Sequence, residues 1–319
     1  MNQKLKKTLF ILFPIILGIF LIWYFLNKFS QEQIDKILYD LKHANYYWIL
    51  LSLFFGILSH LSRAYRWYFM LEPLGYKPKF ANNVMAVLIA YLLNLVIPRS
   101  GEVGRAAAMT KYENIPFEKG FGTIVAERIS DIIMLLIILG IVFFLQTDLI
   151  IGYFSGTNPT KKIIILSFGL IGILISYRIL KKSKHLFFIK IKNFLSGLLE
   201  GVSSIFKMKK KWAFIFHTLF IWLMYILMFW AVTFTIPETS TLSFEAILVG
   251  FIAGAIAMSI TNGGFGAYPL FVATAFSVYG IAKESGASFG LLMWFSQTIM
   301  VLVFGGLSFL FLPVYNKEK

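Results

Sequence analysis

Apolar residues in this chain gather into runs of membrane-crossing length. A hydrocarbon core of about 30 Å takes roughly 20 helical residues, and residues 8–27, 47–67, 129–146, 163–180, 212–234 and 288–312 approach or reach that length with few charges. They predict six spanning helices. Two further apolar stretches are irregular. Residues 81–97 are short and carry Asn82, Asn83 and Asn94, while residues 246–282 are interrupted by Thr261-Asn262-Gly263-Gly264-Phe265-Gly266 and then Pro269. Between the fourth and fifth runs, Phe187, Ile191, Phe194, Leu195, Leu198 and Val202 recur at helical spacing with Lys190 and Lys192 elsewhere, a pattern that predicts an amphipathic helix lying on a membrane surface over 185–208. The expected fold is all-α and integral to the membrane, with residues 1–319 forming a single polytopic domain.

Composition sharpens this picture. Of 319 residues 58% are apolar and only 14% charged, against about 25% charged in soluble domains, so the chain cannot clothe a globule of its size in water-compatible surface. Its 30 Lys and Arg outnumber its 15 Asp and Glu. The excess sits in short runs between apolar stretches, as cytoplasmic loops do, and no nucleic-acid-reading motif accompanies it. Lys4, Lys6 and Lys7 precede the first run as they would a signal peptide, but the run is long and Trp23 and Tyr24 follow as an interfacial anchor.

The positive-inside rule then orients the chain. Lys181, Lys182, Lys184, Lys207 and Lys209 to Lys211 put the loop before the fifth span in the cytoplasm. Counting back places both ends of 81–97 on the cytoplasmic side, together with the following segment that carries Arg99, Arg105, Lys111, Lys119 and Arg128. That stretch is expected to be re-entrant. Glu238 and Glu245 mark an outer loop, so 246–282 is expected to re-enter from outside as two half-helices joined by the glycine segment. The prediction is six spans plus two re-entrant or broken segments, both termini cytoplasmic, in the order expected of inverted-topology repeats.

Ionisable groups inside such a domain are costly and therefore functional candidates. One cluster is Pro98-Arg99-Ser100-Gly101-Glu102-Val103-Gly104-Arg105. Pro98 ends the preceding helix, and Ser100 is suited to cap a new one that carries Glu102 and Arg105 at three-residue spacing. Free amides with two guanidinium groups nearby suit a phosphate; the plainer reading is an intrahelical pair that pins a turn. A second cluster is Glu127-Arg128-Ile129-Ser130-Asp131. Two carboxylates on one helix face need a cation, and Arg99 or Arg105 is the expected partner, either as structure or as a gate opened by substrate phosphate. A third is the glycine break itself, where Asn262, Gly263, Gly264 and Gly266 end one helix and Pro269 fits the first turn of the next. Irregular backbone at membrane depth must face protein or water, so the break either lines a cavity or packs two half-helices closely. Arg63 and Arg66 are read as snorkelling from a cytoplasmic helix end, and Asn83, Asn94 and Gln297 as interhelical hydrogen-bond groups. The four histidines lack metal or triad spacing, and neither a phosphate-binding loop nor a dinucleotide fingerprint occurs. No catalysis and no cofactor are expected.

Arg66-Trp67, then Asn94-Leu95-Val96-Ile97-Pro98-Arg99-Ser100-Gly101-Glu102-Val103-Gly104-Arg105, then Glu127-Arg128-Ile129-Ser130-Asp131, together resemble the membrane domain of the lysylphosphatidylglycerol synthase/flippase family, also known as UPF0104 membrane proteins. The resemblance covers nearly the whole chain. One departure is that Arg99 follows Pro98 directly, where many members have an intervening residue. Another is that the soluble aminoacyl-transferase domain of full-length synthases is not present in these 319 residues, so lysine transfer is not expected. The resemblance implies a flippase-like protein of the inner cell membrane that handles an anionic or aminoacylated phospholipid or a polyprenyl-linked lipid phosphate. It implies binding of the headgroup by Arg99, Glu102, Arg105, Glu127, Arg128, Asp131 and the 262–266 segment. The alternative is a non-transporting accessory that partners a lipid- or glycolipid-synthesising enzyme or a second copy of itself.

Overall fold

A computed structural model of the chain describes residues 29–97, 99–147 and 208–317, with isolated positions between 16 and 27. All regular structure among the described residues is helical: α1 (Gln31–His43), α2 (Tyr46–Leu71), α3 (Phe80–Val96), α4 (Ser100–Glu113), α5 (Phe117–Leu145), α6 (Lys211–Val232), α7 (Phe244–Ile260), α8 (Ala267–Ser277) and α9 (Lys283–Tyr315). Among the described residues, four stretches are long and apolar enough to cross a membrane, Tyr46–Leu74, Phe117–Leu145, Lys211–Thr235 and Lys283–Tyr315. The protein is thus a multi-pass, all-α membrane protein, and these four match the second, third, fifth and sixth expected spans. The expected spans at 8–27 and 163–180 lie largely or wholly outside the described residues, as does the amphipathic segment 185–208. The third span begins at Phe117 rather than 129, because Glu118, Lys119, Glu127 and Arg128 lower the hydropathy of a helix that is nonetheless continuous.

The chain divides into two compact units, residues 1–125 with 212–319, and residues 126–211. In the first unit, polar contacts define two ends. At one, Lys36 of α1 bridges Asp40 and Glu238, Gln33 donates to Glu284 at 2.9 Å and Ser288 donates to Asp40 at 2.9 Å. At the other, the Lys79 amide donates to Glu113 at 3.0 Å, Asn82 donates to the same carboxylate, and Asn82 and Asn316 exchange side-chain hydrogen bonds at 3.0 and 2.9 Å. The starts of α1, the 237–239 turn and α9 therefore share one end. The start of α3 and the finish of α4 and α9 share the opposite one.

This placement makes α3 and α4 the arms of one hairpin. Helix α3 covers the expected segment 81–97 and α4 runs back along it, so Arg99 sits at the tip, about 25 Å along α3 from Lys79 at about 1.5 Å per residue. The new helix expected after Pro98 is α4, which is short and weakly apolar and whose small residues pack it against α3. The carbonyl of Ala90 occupies the space that a Cβ on Gly101 would fill, so the two backbones touch there. The segment 246–282 forms a second hairpin, α7 and α8, whose open end lies beside α1. The two hairpins open at opposite ends of the unit.

The hydrophobic core lies around the second hairpin. Phe229 of α6, Phe276 of α8 and Phe289 of α9 are each fully buried, with ring centroids 4.9–6.1 Å apart in edge-to-face arrangements that favour aromatic pairs. The α1 helix closes one end. Ser30 and Gln33 form a capping box, and Ile37 packs with Ala273 and Ala287. The Lys36 ammonium hydrogen-bonded to Glu238 holds that carboxyl below its ordinary value, against an opposing effect of burial. Burial pulls Lys36 down, but Asp40 and Glu238 outweigh it and its pKa is raised.

Candidate functional site

The first hairpin turns between Ile97, which ends α3, and Arg99. Arg99 adopts the left-handed region, φ 59° and ψ 15°, and its side chain is exposed. It occupies the N-cap of α4 without capping it. Ser100, the expected cap, is already the first helical residue and instead donates to the carbonyls of Leu93 at 3.0 Å and Ile97 at 2.8 Å, closing the end of α3. The left-handed turn at Arg99 brings α4 back against α3, and Asn94 takes over the capping from there. Its side-chain oxygen accepts from the Gly101 amide at 2.8 Å, and its amide donates to Glu102 at 3.4 Å. Asn94 therefore bonds between the arms of the hairpin, as an interhelical group.

At the second tip, Asn262–Gly264 make a single 3-10 turn and Gly263, Gly264 and Gly266 have φ of 61°, 78° and 72°. Helix α8 restarts at Ala267 with Pro269 in its first turn, as the sequence predicts. The carbonyl of Gly263 accepts from the Trp294 indole of α9 at 2.7 Å. A Cβ on Gly263 would come within 2.9 Å of Leu95, so the second tip rests on the last turn of α3. Two chain reversals, each starting a helix, thus meet inside the first unit, and the positive dipole ends of α4 and α8 belong to the same region.

Arg105 lies farther down α4 and does not share the exposure of Arg99. It is 3% exposed, and its guanidinium stacks on the Trp67 ring 3.7 Å from the centroid, a cation–π geometry. Trp67 in turn donates to Thr123 at 2.8 Å. Glu127, Arg128 and Asp131 belong to the second unit. There Glu127 is buried and Arg128 approaches Asp131 at 3.7 Å within the helix.

Arg63 and Arg66 do not snorkel. They are 3% and 0% exposed, Arg63 donating to the Tyr225 hydroxyl at 3.2 Å and Arg66 to Thr218 at 3.0 Å. His217, beside them on α6, bonds Ser62 at 2.8 Å. Helix α6 covers this face of α2 through His217, Thr218 and Tyr225.

A family model described as the lysylphosphatidylglycerol synthase TM region matches residues 11–305. The UPF0104 membrane protein MJ1595 of Methanocaldococcus jannaschii is similar over 314 aligned residues at 27% identity, covering 87% of this chain and 88% of that protein. The glycosyltransferase AglD of Haloferax volcanii is 32% identical over 87 residues, which make up 27% of this chain and 14% of that one. No solved structure matches the chain.

Proposed function

The chain belongs to the lysylphosphatidylglycerol synthase TM-region family, and from that premise we propose that it translocates the headgroup of an anionic phospholipid or polyprenyl-linked lipid phosphate across the inner cell membrane. In this reading both termini are cytoplasmic. The observation that carries the reading is the meeting of the two hairpins, with Gly263 against Leu95. A headgroup crossing a bilayer needs polar groups at depth while its tails stay in lipid, and helix N-termini at the meeting of two opposed hairpins offer them. Arg99, exposed at the first tip, and Glu102 beside it supply charge. Arg105 follows on the same helix, stacked on Trp67, and Glu127, Arg128 and Asp131 form a separate charged cluster, proposed to bind headgroup in its own right.

Reconstitution into liposomes carrying a fluorescent phosphatidylglycerol tests this. The wild-type chain should equilibrate probe between leaflets, and Arg99→Gly and Arg105→Ala should slow it by at least about tenfold, the loss expected when one charge-assisted contact is removed. Glycine suits the left-handed backbone at residue 99, so that variant removes the guanidinium and spares the turn. Unchanged rates in both would sink the assignment. The partial likeness to a glycosyltransferase supports the second reading, a non-transporting accessory of a glycolipid-synthesising enzyme; bound lipid without movement, together with a co-purifying synthase, would favour it.

A further inference from the structure

A buried polar ladder runs along α2, and the hairpin tips do not use it. His60, Arg63 and Arg66 recur at three-residue spacing, so they line one side of the helix over about 9 Å. They are 6%, 3% and 0% exposed. Arg66 is held by Thr218 and faces the Phe214 ring at 5.4 Å. Arg63 donates to the Tyr225 hydroxyl, which lies 3.1 Å from the hydroxyl of Tyr91 on α3. The Tyr91 ring in turn lies 4.4 Å from the imidazole of His60. The rung at His60 differs from the others: among the described residues, neither of its ring nitrogens has a hydrogen-bond partner.

An imidazole buried in an apolar bundle with both nitrogens unused is a poor packing residue, because desolvation of its polar atoms is not offset. Its immediate neighbours are complementary in chemistry. Neutral imidazole offers one N–H donor and one acceptor, each tyrosine hydroxyl offers both, and the guanidinium offers a fork of donors suited to an oxyanion. A guanidinium one turn from the imidazole opposes a metal cation, and an apolar ligand would leave the two nitrogens as they are. We infer that His60, Arg63, Tyr91 and Tyr225 form a binding site for a phosphoryl group in the interior between α2, α3 and α6, distinct from the hairpin tips. Arg63 and the imidazole N–H take the anionic oxygens, and the two hydroxyls take the ester side. A phospholipid headgroup and a soluble phosphate ester present the same group, and the site is defined by that shared chemistry.

The test is binding alone, so it stands or falls independently of translocation. Full-length protein labelled with 15N-histidine, which contains four histidines, is titrated in detergent with short-chain phosphatidylglycerol, with diacylglycerol of the same chain length and with glycerol phosphate. Phosphatidylglycerol should shift one imidazole signal that is missing from His60→Phe, and diacylglycerol should not. Tyr225→Phe, which removes a single hydroxyl and keeps the ring, should weaken phosphatidylglycerol binding about tenfold. Glycerol phosphate that competes assigns the site to soluble esters, and glycerol phosphate that fails while the lipid binds assigns it to a headgroup; either upholds the site. Diacylglycerol producing the same shift as phosphatidylglycerol, or wild-type affinity in Tyr225→Phe, would overturn it.

Discussion

Gly101 shows how much the first hairpin depends on a single missing atom. A Cβ there would overlap the Ala90 carbonyl, whereas one on Gly122 would meet nothing within 4 Å. Gly101→Ala should therefore cost about 1–3 kcal/mol through overpacking, read as a lowered melting temperature in detergent. Gly122→Ala, at an open helical position, should be neutral or stabilising by up to about 1 kcal/mol. Equal melting temperatures for the two variants would contradict the close approach of α3 and α4. The glycine and proline punctuation of both tips was legible in the sequence because those residues restrict or release the backbone wherever they occur. Burial of Arg63 and Arg66 was not. Basic residues near the end of an apolar run look the same whether they reach for headgroups or for another helix, and the choice between the two is made by Thr218 and Tyr225 more than 150 positions away.

At the scale of an element, α1 depends on a three-residue ionic contact for its attachment to the 237–239 turn. The pKa of Glu238 is depressed by Lys36, so its contribution is present above the ordinary carboxyl value of 4.5 and is lost as pH falls through the lower folded value. That of Lys36 is raised, so its contribution is present below 10.5 and is lost only as pH rises through the still higher folded value. The attachment is complete between those limits. Partly exposed pairs of this kind contribute about 0.2–1 kcal/mol, so Lys36→Met should lower the melting temperature by a few degrees at most, about 1–3 °C at pH 7. The gap should close as the solution is taken below pH 4. A gap that persists there would mean that Lys36 stabilises α1 by packing and not by charge. Helix α4 is the element that hydropathy hides. A helix of small residues within a hairpin needs no large apolar face of its own, since α3 shields it, whereas α3, α6 and α9 announce themselves.

For the whole molecule, the decisive feature is that α3 and α4 begin and end together. The chain has no native cysteine, so single cysteines can report sidedness directly. Lys77→Cys and Lys111→Cys, both at exposed positions, should react with an impermeant maleimide from one face of the membrane, and Lys42→Cys and Thr241→Cys from the other. Labelling of residues 77 and 111 from opposite faces would make α3 a full span and remove the hairpin. The fastening of that hairpin also has a consequence for biosynthesis. Its base is tied by Asn82 to Asn316, 234 residues later, and the Leu88 carbonyl of α3 meets Gly305 of α9 so closely that a Cβ there would lie 2.9 Å away. Irregular backbone cannot rest against lipid, so the first hairpin has no settled place in the bilayer until α9 has been made. A ribosome-stalled chain ending before α6 should accordingly hold residues 80–113 at the membrane surface or in the grip of an insertion chaperone, and the early half of the protein waits on the late half to enter the membrane.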